Sequence, residues 1–503
     1  LYAAGLTRAD IEAQPIEDFA GAAVSLFEFA QVREAGQARV RVFLPRPDTM
    51  GWRAPYAIAE IITEDMPFVV DSALGALASM NRQVHALVHP IVKVLRDAGG
   101  RLVSIGDAPG SVAESMVQIA FSAEADAAVL ANIAAALKRA MADVRLAVAD
   151  WAAMRAHIDE SIARLASVPG VDPAEAAEAR ALLEWVRNEN FVLLGYRRYD
   201  LTATGIAVDQ AANLGVLRDP EKPIFDALRT PDALPEAVRH FLASSPLVTV
   251  AKANMRATVH RPQHFDVIGI AHRGPDGTVT GGEFYLGLFT SEAYNRSPRS
   301  IPILRRKVAE VQRMAGATPE SHDGRALMNI LETYPRDELF QADVGHLLET
   351  ARGILALQAR QRVKVFIRRD AFERFISAIV FVPRDVMDTE LRRRLGEMLA
   401  RAFGGRLSTN YIQIGDQPLA RIHYIVATQP GQVPDPDIGA LERAMAEAAR
   451  SFRDRLSEAL SAERGEQGAQ PLLARWGNAF PAGYIERHTA REAVADIFRA
   501  EQA

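Results

Sequence analysis

The sequence predicts a multidomain α+β protein built from ferredoxin-like units, and three observations carry that prediction. At roughly 150 residues per domain, a chain of 503 has length for about three domains. The order strand, helix, strand, strand, helix occurs twice, near 36–147 and again from 361–432 into the helix beyond it. A β-rich block at 191–300 lies between, and the segments 148–190 and 301–360 read as helical linkers.

The first segment, 1–35, reads as helix, with Phe19, Val24, Leu26, Phe27 and Phe29 at helical spacing. It begins with Leu1 rather than Met, at a position already helical in pattern, so a segment cut from something longer is expected. Ala38 to Pro45 alternates with period two, a strand closed by proline and placed to supply a sheet edge. Tyr56 to Ile62 predicts a second strand, followed by the turn Thr63-Glu64-Asp65-Met66-Pro67. Proline suits a first helical turn and Asp65 is placed to cap it. That helix runs to about Met80, with Val70, Leu74, Leu77 and Ala78 on one face. Val84 to Leu95 predicts one long strand, Asp97 to Gly100 a hairpin turn, and Arg101 to Ile105 the returning strand. Ser115 to Phe121 is a further strand, and Ala127 to Met141 an alanine-rich helix.

Helical text from Val144 to Trp185 breaks at Gly170-Val171-Asp172-Pro173. Phe191 to Tyr199 then changes to strand, with more strands near 247–252, 255–260, 265–272 and 279–289. Residues 301–360 return to helix, with breaks at Gly316 and Pro335. In the second unit Val363–Ile367 and Arg374–Val382 are strands, and Asp388–Ala402 is a helix that Gly404-Gly405 ends. Leu407–Ile414 and Leu419–Ala427 are strands flanking Gly415-Asp416. A helix from Ile438 to Leu460 closes the unit, Ser461 to Gln470 reads as a polar linker, and the remainder of 433–503 is helical. The two units share topology and little sequence.

Composition removes several classes of function. The net charge of −5 and a pI near 6.2 argue against a nucleic-acid partner. With no cysteine, disulfides, thiolate zinc sites, iron–sulfur clusters and a cysteine nucleophile are excluded. No apolar run approaches a membrane helix and no signal-peptide pattern opens the chain, so a soluble, cytoplasmic protein is expected. Six lysines against 52 arginines, with abundant alanine, fit a GC-rich genome, so single arginines carry little weight.

Known chemical signatures are missing. Neither Gly-x-Gly-x-x-Gly nor Gly-x-x-x-x-Gly-Lys-Ser/Thr occurs, and the cluster Gly281-Gly282 with Gly287 falls inside a predicted strand. Gly-x-Ser-x-Gly and His-Glu-x-x-His are also absent. His85 and His89 share a strand face but lack the further ligand a metal needs, and His260, His264 and His272 cluster where Pro262 breaks the strands that would put them on one face, so no metal is expected at either group. The runs Arg305-Arg306-Lys307 and Arg392-Arg393-Arg394 read as solvated helix faces. No catalytic, cofactor-binding or metal-binding residue is expected within the chain.

Several strings, in order, point to a family. They are Glu64-Asp65-Met66-Pro67-Phe68-Val69-Val70-Asp71-Ser72, His85-Ala86-Leu87-Val88-His89-Pro90, Asp143-Val144-Arg145 and Asp150-Trp151. Phe191 to Arg197, Phe381 to Asp385 and Leu419 to His423 complete the set. Together they resemble the N-terminal half of the large bacterial NAD-specific glutamate dehydrogenases, over the whole chain. The resemblance implies ACT-like domains at 36–147 and 361–432, an ACT- or PAS-like module at 191–300, and helical segments elsewhere. It implies a parent enzyme that uses NAD to interconvert glutamate with 2-oxoglutarate and ammonium, on a catalytic core outside these residues. The implied partners are that core and further copies of the chain.

The resemblance also implies a candidate effector site. Many ACT modules bind an amino acid where the first strand meets the first helix, whose N-terminal amides suit a carboxylate. Here that turn is Thr63, Glu64, Asp65, Met66, Pro67 and Phe68, with Asp71. Ligand-binding ACT turns place glycine after the proline; this chain has Phe68, and Val382-Pro383-Arg384-Asp385-Val386 has no glycine either. Assembly contacts are therefore expected over effector binding. The alternatives are a free-standing ACT-like amino-acid sensor and a ligand-free scaffold.

Overall fold

The structure, a computed structural model, describes residues 2–3, 6–12, 15–222, 224–225, 234, 236–357, 362–415, 417–485 and 487–502. Leu1, Asp416 and the end of the 301–360 segment lie outside them. The chain divides into two compact units, Leu1–Arg306 and Lys307–Ala503.

The first unit contains two sheets. One comprises β1 (Arg39–Phe43), β2 (Ala57–Glu64), β3 (Val84–Val88), β4 (Ile91–Arg96), β5 (Leu102–Ile105) and β6 (Val112–Phe121). Its order is β1-β2-β6-β4-β5, with β3 also on β6, and every pairing is antiparallel. Helix Val69–Ser79 carries the chain from β2 over β6 to β3, the split crossover of a ferredoxin-like unit. Strand β1 takes the remaining edge beside β2, as its alternation predicts.

Burial explains the strand texts. Leu26 and Phe29 of helix Ile16–Phe29 pack on Ile62, Val92, Val94 and Met116, on one face of the sheet. Helix Ala127–Ala149 packs against helix Val69–Ser79 and β1. With both faces covered, β2 is buried along nearly its whole length.

Two expectations for this sheet are corrected. The strand expected over Val84–Leu95 is broken at His89-Pro90, because Pro90 has no N–H for the ladder; its carbonyl still accepts from the Met116 amide at 3.0 Å. Asp65 does not cap a helix: the helix starts at Val69, its N-cap is Phe68, and no side chain caps it.

The second sheet has β7 (Phe191–Leu201), β8 (Ile206–Val208), β9 (Leu214–Gly215), β10 (Val248–Arg256), β11 (His264–Arg273) and β12 (Val279–Phe289). Its order is β10-β11-β12-β7-β8, with β9 on β7. The strand expected at 255–260 does not exist: β10 runs on to Arg256, and residues 257–263 form a loop containing Pro262 and His260 at φ +67°. In β12 a Cβ on Gly281, Gly282 or Gly287 would strike the carbonyls of Tyr199, Ile270 and Val192 respectively. These glycines serve strand packing and offer no helix N-terminus to a pyrophosphate, so they do not fit NAD.

The Lys307–Ala503 unit holds β13 (Lys364–Arg369), β14 (Phe375–Pro383), β15 (Arg406–Gln413) and β16 (Leu419–Ala427), ordered β13-β14-β16-β15 and antiparallel throughout. Leu395, Leu399 and Phe403 of the intervening helical region pack with Ile376, Val380, Ile422, Tyr424 and Val426. Gly404, at φ +60°, ends helix Thr389–Ala402 in the left-handed turn expected of it.

Two further boundaries are corrected here. The helix expected over Ile438–Leu460 stops at Ala448, and Ser451 with Asp454 forms a capping box that starts helix Phe452–Trp476. The polar linker expected at Ser461–Gln470 lies within that helix, interrupted at Gly465 (φ +68°). Alanine, glutamate, arginine and glutamine are strong helix formers, and exposure, not disorder, explains the polarity.

Candidate functional site

The backbone of the Thr63–Asp71 turn explains its odd composition. Phe68 sits at φ +72°, ψ 0°, a conformation glycine adopts freely. Holding a bulky residue there costs on the order of 1–3 kcal/mol, so neighbouring contacts must over-determine it.

The loop at 257–263 supplies those contacts. The His260 ring lies 5.2 Å from the Phe68 ring, centroid to centroid. His260 Nδ1 is 3.0 Å from Asp71 Oδ2, and the His260 amide donates to Ser72 Oγ at 3.0 Å. Pro262 comes so close to Gly75 that an added Cβ would stand 3.3 Å from its Cδ. The β-rich module therefore packs on the turn where an ACT ligand is expected.

The other turn residues are also engaged. Thr63 is fully buried, and its Oγ1 accepts from Arg145 Nη2 at 3.4 Å. Glu64 pairs with Arg145, accepts from Arg33 Nη1 at 3.1 Å and from the Gly36 amide at 3.3 Å. Partial burial would raise its pKa, but Arg145, the Gly36 amide and Arg33 outweigh that and hold it below the ordinary carboxylate range. Asp65 Oδ1 accepts from Ser115 Oγ at 2.7 Å, and Ser115 Oγ is 3.0 Å from His89 Nε2. Burial lowers the His89 pKa, opposed by Asp65. Met66 is half-buried and Pro67 exposed.

Beside the turn, Arg33 and Arg96 converge on Glu114, all three nearly inaccessible to solvent. Arg96 binds both carboxylate oxygens, each at 2.7 Å. Such bidentate geometry makes this a strong, directional pair.

The remaining strings do similar work. Asp143 takes Lys222 Nζ at 2.5 Å and Thr258 Oγ1 at 2.5 Å. Asp150 receives the Gly215 amide at 2.7 Å and both arms of Arg218. Arg197 reaches Asn213 Oδ1, the Leu217 carbonyl and the Lys222 carbonyl. Helix Ala127–Ala149 and its successor are thus pinned to the β-rich module from several sides. In the other unit, Glu338 binds Arg368 through both oxygens at 2.7 Å. His423 Nε2 lies 2.8 Å from Ser377 Oγ and 3.8 Å from Glu338. Burial alone would raise the Glu338 pKa, but the Arg368 hydrogen bonds and charge drive it below the carboxylate range. Burial lowers that of His423, against the pull of Glu338.

The histidines go to separate places. His85 stacks on Tyr56 at 4.3 Å, His264 Nδ1 lies 3.1 Å from the Ala253 carbonyl, and His272 lies 3.8 Å from Glu283. Among the described residues no three His, Asp or Glu side chains form a set that could hold a metal. The basic run at Arg305-Arg306-Lys307 is not uniformly solvated. Lys307 is half-buried and donates to the Leu339, Phe340 and Ala342 carbonyls, and desolvation brings its pKa down to about 8. Arg33, Arg145 and His260 are partners of the turn that no local sequence signal connects with it. Arg145 lies in the string Asp143-Val144-Arg145, and His260 lies in the β-rich block, where its sequence context suggests a structural or solvent-facing role over a metal ligand.

Four stretches match family models of glutamate dehydrogenase: the ACT1 domain at 1–137, helical motif 1 at 301–360, the ACT2 domain at 364–453 and helical motif 2 at 459–503. The chain is similar to NAD-specific glutamate dehydrogenases from three bacteria. It is 37% identical to that of Halomonas elongata, over 99% of this chain and 31% of the relative. For Pseudomonas aeruginosa the figures are 32%, 96% and 30%, and for Mycobacterium tuberculosis 27%, 94% and 29%. The chain thus spans under a third of the length of these relatives. Among the described residues no helix is long and apolar enough to cross a membrane.

Proposed function

We propose that this chain is the N-terminal assembly and regulatory region of an NAD-dependent glutamate dehydrogenase. The parent enzyme would oxidise glutamate to 2-oxoglutarate and ammonium in the cytoplasm, with NAD bound on a core outside residues 1–503. In this reading the chain supplies no catalytic residue and no cofactor site. Its organisation is a helical segment at 1–35, ACT-like domains at 36–147 and 361–432, a β-rich module at 191–300, and helical segments at 148–190, 301–360 and 433–503.

The observation that carries the reading is where the chemistry-bearing side chains are spent. Glu64, Asp143, Arg145, Asp150, Arg197 and His423 stand in the strings of the family resemblance, and each is bonded to another element of the fold. That is the behaviour of a framework. The Thr63–Asp71 turn serves the same end, with His260 on Phe68 and Asp71 where an effector would sit.

The reading is tested by glutamate-dependent NADH formation. The 503-residue chain alone should give none, while the complete polypeptide from the same gene should turn over. A gene that ends after Ala503 would favour the free-standing sensor. Turnover by the chain alone would remove the proposal.

A further inference from the structure

We infer that His423 makes the joint between helix Arg336–Gln341 and the four-stranded sheet of the Lys307–Ala503 unit acid-sensitive: when its imidazole takes up a proton, the helix leaves the sheet more often. The inference goes beyond the assembly reading and does not depend on it.

One carboxylate ties this helix to the sheet. Glu338 is 2% exposed and spends both oxygens on Arg368 of β13, at 2.7 Å each. His423 of β16 is 7% exposed and reaches the same place. Its Nε2 lies 2.8 Å from Ser377 Oγ on β14 and 3.8 Å from Glu338 Oε1. A neutral imidazole is satisfied there by one hydrogen bond with the Ser377 hydroxyl, which can donate or accept.

A charged imidazole is not satisfied. The groups that face it are Glu338 and Asp337 from the helix, Arg368 from β13 and Arg421 from its own strand. The Tyr411 ring of β15 lies 6.1 Å away, and the buried Tyr334, just before the helix, faces Glu338 and both arginines. Arg368 already neutralises Glu338, and Arg421 is a second cation, donating to the Thr333 carbonyl at 2.6 Å. Protonating His423 adds a third cation where water cannot solvate it and the nearest carboxylate is taken. Burial, with Arg421 and Arg368, lowers the His423 pKa against the pull of Glu338 and Asp337.

The sign follows from linkage. When the helix is off the sheet, His423 regains the ordinary histidine value of about 6.5. Below that value the open joint binds more protons than the closed one, so the joint weakens as pH falls. Between pH 7.5 and 5.5 its opening constant should rise about five- to tenfold. The helix lies in the stretch that matches helical motif 1 and the sheet in the stretch that matches the ACT2 domain, so acid would uncouple these two parts.

Hydrogen exchange of the 503-residue chain, read by mass spectrometry at the two pH values and corrected for the intrinsic rate at each, tests this. Opening of 334–342 should rise about five- to tenfold on acidification, while helix Thr389–Ala402, on the other face of the sheet, should not follow. His423→Gln keeps an amide for Ser377 and takes up no proton, so its 334–342 segment should lose the acid response. His322→Gln, at an exposed ring in the same unit, should respond as the wild type does. If His423→Gln is already unprotected at pH 7.5, the contrast between 334–342 and 389–402 in the wild type decides. Unchanged protection of 334–342 in the wild type would overturn the inference. So would an acid response shared equally with 389–402, or one retained in His423→Gln. None of these outcomes bears on glutamate-dependent NADH formation, so the two ideas fail separately.

Discussion

Glu338→Ala is expected to destabilise the Lys307–Ala503 unit by about 3–5 kcal/mol, since it strands a buried cation. The Arg368 side chain is 10% exposed and its fork is bound to the two Glu338 oxygens. His423 and Ser377 sit on the same carboxylate, so its loss also loosens the contact with strands β14 and β16. Urea unfolding followed by circular dichroism checks this, with the transition of that unit moving to lower denaturant. Removing Glu390 from its exposed pair with Arg393 is the control, and no measurable change is expected there. An equal response from both variants would mean that the buried pair does not hold the unit together.

Glu114→Ala should have an effect of the same order, about 3–5 kcal/mol, on the Leu1–Arg306 unit. Here one carboxylate serves two buried guanidiniums, and Arg96 is left with the Gly100 and Ala30 carbonyls while Arg33 keeps Glu64. Glu114→Gln retains an acceptor and the shape, so it should cost less than alanine. Thermal unfolding of the two variants side by side gives the comparison. A milder loss for alanine than for glutamine would contradict this, since glutamine keeps both the volume and an acceptor for the two guanidiniums.

Much of the fold is legible in the sequence because period-two alternation and turn residues are local signals. Strands β2, β6, β14 and β16 lie close to their expected ranges, since apolar residues dominate each and most of their length is buried. The errors come where a tertiary contact overrides a local one. Asp65 has the composition of a cap, but Ser115 takes its carboxylate and Phe68 begins the helix in a left-handed turn. A polar text at 461–470 looks like a linker, yet its residues favour helix and Leu456, Leu460 and Ala469 bury one side. The composition of the candidate turn is legible, and so is the missing glycine; that Phe68 nonetheless takes a glycine-like backbone is not. Its partner His260 lies almost two hundred residues away, across a pairing no periodicity announces.

The measurement that tests the framework reading most directly is thermal unfolding of the chain with free amino acids, 2-oxoglutarate, ammonium and NAD. A ligand at 100 times its dissociation constant adds about 2.7 kcal/mol, enough to raise a midpoint by degrees. With His260 lying on Phe68 and Asp71, no compound should shift the midpoint of the folded chain. A selective rise with one amino acid, lost on substitution at Asp65 or Phe68, would contradict the account and make the turn an effector site.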